Sequence, residues 1–223
     1  MLFPTLLLAL GVTIPSALST PISFPAPSSE VAAHTTAKNL TLNIQALGTV
    51  IHGDWTKFPA ISSWIGFDDM FNRNKNSMFS TGDTGEDVGR IYNAIKEAAK
   101  IGVDERVILG IIMQESHGDV GVVTTISPDG IPTAGLMQCS GCPGYPGKHG
   151  LTQAQITGMV KGGTEHFKAN LKNWGDKWSA ESIFPALREY NSGSVNTKDL
   201  SDARGATASY VSDIAHRLTG SVD

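Results

Sequence analysis

The chain has 223 residues, with 17 basic against 21 acidic side chains, a formal net charge of −4 and a sequence pI near 5.8. That mild acidity argues against a nucleic-acid binder, which carries a basic patch, and it denies an enzyme any cationic attraction to an anionic bacterial wall. Charged residues make up only 17% and no internal repeat occurs, so the composition fits one domain of about 140 to 190 residues with a real core.

Residues 1–19 read as a secretory signal peptide. An apolar run from Leu6 to Ile14 gives way to small residues, and Ala17 and Ser19 precede a cleavage point before Thr20. The n-region lacks Lys and Arg, but Pro4, Pro15 and the short run count against a membrane anchor or a buried core helix. No later stretch is long and apolar enough to span a bilayer. The mature chain is therefore expected to be secreted, extracellular and monomeric, with no nucleic-acid or membrane partner. Residues 20–30, rich in Pro and Ser, form a linker without structure of its own. Residues 31–83 form an N-terminal extension. Within it Leu40 to Gln45 alternates like a short strand, and Trp64, Phe67, Met70 and Phe71 predict a helical turn packed on the domain. Asn39-Leu40-Thr41 is a sequon, which makes Asn39 a glycosylation site in a secreted chain.

Residues 84–220 read as helices. Thr84 and Asp87 resemble a capping box, followed by Val88, Ile91, Tyr92, Ile95 and Ala99 at helical spacing until Gly102. Asp104 caps a second helix with Val107, Ile108, Ile111 and Ile112 as its stripe and Gly118 as its stop. Thr152 and Gln155 cap a third, in which Gly162-Gly163 predicts a kink. A short helix starting near Pro185 leads into Tyr190, and a last one carries Tyr210, Val211, Ile214 and Leu218. Between the second and third helices lies a long Gly/Pro-rich segment, 119–150, of the kind that is functional or holds a small sheet. The expected fold class is mostly α (α+β).

Glu115 falls about 40° from Ile111 and about 20° from Ile108 around the second helix, on its buried stripe. It also lies in the last turn, where the negative end of the helix disfavours a carboxylate. Desolvation and dipole both push its pKa upward, toward what a general acid requires. A rim position, solvated or paired with Lys or Arg, fits the same pattern, and both readings stand. Cys139 and Cys142, the only cysteines, predict a short-range disulfide. A redox C-x-x-C lacks its βαβ surroundings, two thiols with His149 are too few for zinc, and a Cys139–His149 hydrolase remains a distant alternative.

Glu115-Ser116, then Gly135-Leu136-Met137-Gln138, then Tyr190-Asn191-Ser192-Gly193, resembles the goose-type lysozyme and soluble lytic transglycosylase group over about residues 85 to 220. The closing Tyr210-Val211-Ser212-Asp213-Ile214 helix also resembles the last helix of that family. The resemblance implies a lysozyme-like helical domain, cleavage of β-1,4-linked amino-sugar polymers such as peptidoglycan, and no cofactor or metal. It makes Glu115 the general acid, Gln138 a cleft residue, and Tyr190 and Asn191 substrate-binding residues that line the site. Asp129 matches the aspartate that goose-type lysozymes carry before this Gly-Leu-Met-Gln, the place of a catalytic base. Ser127-Pro128-Asp129-Gly130 is also a standard turn sequence that explains the aspartate by itself. Leu136 and Met137 suit core packing, and Tyr190 to Gly193 suits a helix C-cap compatible with a cleft. His117 suits a solvated helix end. The Cys-Ser-Gly-Cys after Gln138 departs from the family pattern. Two other functions fit the residues: an endo-hydrolase of a neutral polymer such as chitin or β-mannan, which the acidity suits better, and a catalytically silent glycan-binding protein.

Overall fold

The structure, a computed structural model, describes residues 48–127 and 130–222. The expected signal peptide, linker and Leu40–Gln45 strand, the sequon at Asn39 and Asp129 lie outside the described residues. The described chain is mostly helical, with α1 Phe67–Ser80, α2 Gly85–Ala98, α3 Glu105–Ser116, α4 Gln153–Asn173, α5 Ala180–Ser192 and α6 Tyr210–Leu218. Between α3 and α4 sits a small antiparallel sheet in the order β1-β2-β3, formed by Thr125–Ile126, Pro132–Ala134 and Cys139–Ser140. Among the described residues no helix is long and apolar enough to cross a membrane.

The local start signals act as the sequence predicts. Thr84 with Asp87 and Thr152 with Gln155 both form reciprocal capping boxes, and Asp104 accepts from the Arg106 amide. Each satisfies amide groups that the helix cannot satisfy itself, worth about 1 kcal/mol per cap. One boundary and one kink differ from expectation. The helix before Tyr190 begins at Ala180, capped by Ser179, and Pro185 sits inside it, at the cost of one backbone hydrogen bond. The fourth helix runs unbroken through Gly162 and Gly163. These glycines form a notch rather than a break. A Cβ on Gly163 would meet Met137 Cβ at 2.3 Å, and one on Gly162 would meet Cys142 Sγ at 2.9 Å. The loop carrying Met137 and Cys142 lies directly on α4 because nothing projects from those two positions.

Helix α3 is the centre of the core. Every residue from Val107 to Met113 is buried, more than the single stripe expected from the sequence. Helix α6 lies against it, and Gly110 sets the approach, since a Cβ there would stand 2.9 Å from Ile214 Cγ2. Helices α1, α2 and α4 also pack on it, and α5 lies against α4 and α6, with Ile91, Ile95, Phe167 and Phe184 fully buried. Phe58, Trp64, Phe67, Met70 and Phe71, from the segment before residue 84, belong to the same buried cluster. Phe58 packs on Phe184 at 4.8 Å between ring centroids. Burial of each such side chain stabilises by about 1.5–3 kcal/mol, so residues 55–83 are a working part of the core.

Candidate active site

The end of α3 presents two adjacent side chains to two different partners. Ser116 is buried, and its hydroxyl lies 3.0 Å from Ile112 O, 2.9 Å from Leu136 O and 3.2 Å from the Gly118 amide that donates to it. His117 then takes a left-handed backbone at φ 53° and closes the helix. Ser116 therefore ties the helix end to the Gly135–Gln138 segment, which is a tight turn between β2 and β3 closed by Gln138 N donating to Gly135 O at 2.9 Å. Gly135 has a φ of 73°, and a Cβ there would lie 2.4 Å from Pro143 O. Only glycine fits that turn.

Glu115 points the other way. It is half-buried, and Tyr210 at the start of α6 donates a hydrogen bond to its Oε1 at 2.7 Å. Desolvation pushes the carboxyl up to about 7, with the Tyr210 bond pulling the other way. Tyr190 stands nearby. Burial, and after it the Glu115 charge, raise its hydroxyl well above the ordinary tyrosine range. That hydroxyl donates to Met137 O at 2.7 Å. The three sequence motifs thus meet: Ser116 and Tyr190 grip successive carbonyls of one turn, and Glu115, next to Ser116 in the chain, is bonded to Tyr210 of α6.

Gln138 and Asn191 are both engaged by the fold. Gln138, at φ 43°, donates from Nε2 to Val123 O at 3.2 Å and Gly135 O at 3.0 Å, and accepts from Thr125 Oγ1 at 2.9 Å. It braces the small sheet. Asn191 Oδ1 accepts from Arg188 Nη2 and from the Thr207 amide at 3.1 Å. Arg188 is fully buried and also donates to Thr207 O at 3.0 Å and Leu200 O at 3.4 Å, with its guanidinium 5.9 Å from the Tyr210 ring centroid. Asn191 and Arg188 together hold the loop that delivers Tyr210 to Glu115.

The Asp129 position falls at the β1–β2 connection, whose described ends are closed by Gly130 N donating to Ser127 O at 2.8 Å and Ser127 N donating to Ile131 O at 2.9 Å. Cys139 and Cys142 form a disulfide with Cα atoms 5.4 Å apart, and no free cysteine remains. A cysteine hydrolase is therefore excluded, because the disulfide leaves no thiolate. His149 instead meets Asp83 at 3.1 Å.

Three site residues were not legible as such in the sequence. Tyr210 read as a member of an apolar stripe, and Arg188 carried no signal. His166, on α4, packs against Tyr190 with ring centroids 5.0 Å apart and planes tilted by 53°, and burial holds its imidazole below the ordinary histidine range against the opposing Glu189 charge. Its only signal was its place one residue from the Phe167 stripe. The arrangement supplies a carboxyl that keeps a proton near neutrality and is positioned by a phenol, a protonation state suited to a general acid. No protein-family model matches the chain, and no curated protein matches it.

Proposed function

We propose that the protein is a secreted glycan-cleaving enzyme with a lysozyme-like catalytic domain, acting on β-1,4-linked amino-sugar polymers such as peptidoglycan, with Glu115 as its general acid. The observation that carries this reading is the half-buried Glu115 carboxyl, raised to about 7 by desolvation and held by Tyr210. A merely structural carboxylate at a helix end would be paired with a cation or solvated. The likeness of the Glu-Ser, Gly-Leu-Met-Gln and Tyr-Asn-x-Gly segments to goose-type lysozymes and lytic transglycosylases supports the substrate class. The Cys139–Cys142 disulfide suits an oxidising, extracellular setting.

In the proposed reaction Glu115 gives its proton to the glycosidic oxygen as the bond to the anomeric carbon breaks. Water attacks that carbon from the opposite face and yields its proton to Asp129, in the manner of inverting glycosidases, whose two carboxyls stand about 6.5–9.5 Å apart to admit the water. The product is a reducing sugar of inverted configuration. The net charge of −4 favours a neutral polymer, chitin or β-mannan, as the second reading. Mass spectrometry of products from peptidoglycan, chitin and mannan incubated side by side tests both. Reducing oligosaccharides from peptidoglycan support the first reading, products from a neutral polymer alone support the second, and cleavage of none overturns both.

A further inference from the structure

Two buried aspartates sit at the junction of α1 and α2. Asp83 precedes the cap of α2 and is 5% exposed, and Asp87, in its first turn, is fully buried. Each uses one oxygen to hold an end of the long segment between α3 and α4. Asp83 Oδ1 accepts from the Val120 amide at 3.2 Å, and Asp87 Oδ2 accepts from the Gly150 amide at 3.0 Å and from the Thr84 hydroxyl at 2.8 Å. The second oxygens, Asp83 Oδ2 and Asp87 Oδ1, are buried and accept no hydrogen bond among the described residues. Arg90 Nη1 stands 3.9 Å from Asp87 Oδ1, beyond hydrogen-bonding reach, while its Nη2 is engaged with Glu86 at 2.7 Å. Buried carboxylate oxygens left without a donor are costly, and a cation relieves that cost.

His149 completes the cluster. Its Nδ1 is 3.1 Å from Asp83 Oδ1, and one ligand atom from each of Asp83, Asp87 and His149 lies within 4.8 Å of the others. We propose that these three residues bind a divalent transition-metal cation, Zn2+ in preference to Mn2+, which fastens both ends of segment 119–150 to the α1–α2 junction. Two carboxylates and one imidazole suit such an ion, whose affinities in N/O sites favour Zn2+ over Mn2+. His149 Nδ1 and Asp83 Oδ1, hydrogen-bonded at 3.1 Å, stand at about the spacing of neighbouring ligands on an ion with bonds of about 2.0–2.2 Å, and the wider separations in the cluster, up to 4.8 Å, must close as the ion binds. The His149 side chain is 34% exposed, which gives the ion a route in. Because segment 119–150 carries the Gly135–Gln138 turn gripped by Ser116 and Tyr190, the ion would stiffen one wall beside Glu115 without touching the carboxyl.

The test is calorimetric titration of the whole secreted chain, stripped with EDTA and dialysed, with ZnCl2, MnCl2 and CaCl2 at pH 7.5. One saturable Zn2+ site per chain is expected, tighter than for Mn2+, with a rise in Tm on binding. His149→Ala, at a partly exposed position the fold tolerates, should weaken Zn2+ at least tenfold, while exposed His52→Ala should change nothing. Absence of a one-to-one Zn2+ site, or equal Zn2+ affinity in His149→Ala, overturns the proposal. So does a site that binds Ca2+ alone and ignores His149. None of these readings depends on glycan cleavage, so they stand or fall apart from the Glu115 assignment.

Discussion

Replacing Glu115 by Gln should make the protein more stable at alkaline pH and leave its stability unchanged in acid. The folded carboxyl titrates at about 7 against 4.5 for the unperturbed group, chiefly through desolvation. At about 1.4 kcal/mol per pH unit, the gap is worth about 3 kcal/mol. Because the folded state holds the proton more firmly than the unfolded chain, the wild type loses stability as pH rises from 4.5 to 7 and stays at the lower level above that. Gln does not titrate, and its Oε1 still accepts from Tyr210. Glu115→Gln should therefore match the wild type at pH 4 and exceed it by about 2–3 kcal/mol at pH 8, roughly 5–10 °C in Tm for a domain of this size. Urea unfolding of both proteins at the two pH values measures the difference, and contributions from other titrating groups cancel in it. A stability gap identical at pH 4 and pH 8 would show that the carboxyl is not desolvated, and the acid assignment would lose its physical basis.

Tyr210→Phe removes the donor that favours the ionised carboxylate, so Glu115 should hold its proton to higher pH and the alkaline limb of the activity profile should move upward. An unmoved limb would place the hydroxyl outside the reaction. Gly135→Ala forces a Cβ to 2.4 Å from Pro143 O at a positive φ, and thermal melts should register a loss of about 2–4 kcal/mol. A wild-type Tm would contradict the described turn. Asp129→Asn should remove most activity while the wild-type product shows inverted configuration. If the variant stays active and the products carry 1,6-anhydro ends, the sugar's own C6 hydroxyl is the nucleophile and Glu115 serves as acid and then base.

What the sequence revealed was local. The capping boxes at Thr84–Asp87 and Thr152–Gln155 were legible because donor and acceptor lie within one turn. The Glu115 stripe position was legible for the same reason, since it follows from helical period alone. Helix α1 was legible only as a turn, because Asn72 to Ser77 presents a polar run that hides the buried Asn74 and Met78. The start of α5 was misplaced because Pro185 resembles a helix beginning. The roles of Gly162 and Gly163 depend on Met137 and Cys142, which reach α4 from another part of the chain. Tyr210 was the largest omission, and its hydroxyl meets a partner 95 residues away. The resemblance named Gln138 and Asn191 as site residues, and in the fold their hydrogen bonds brace the small sheet and the loop before α6.

The most direct test of Glu115 as the general acid is the rate at which wild type and Glu115→Gln release soluble oligosaccharides from the polymer the wild type cleaves, with folding of the variant checked by circular dichroism. The amide keeps the shape and the Tyr210 contact but has no acidic proton, so release should fall by at least about 10²–10⁴-fold in a fully folded protein. A folded Glu115→Gln variant that works within a few-fold of the wild type would contradict the account.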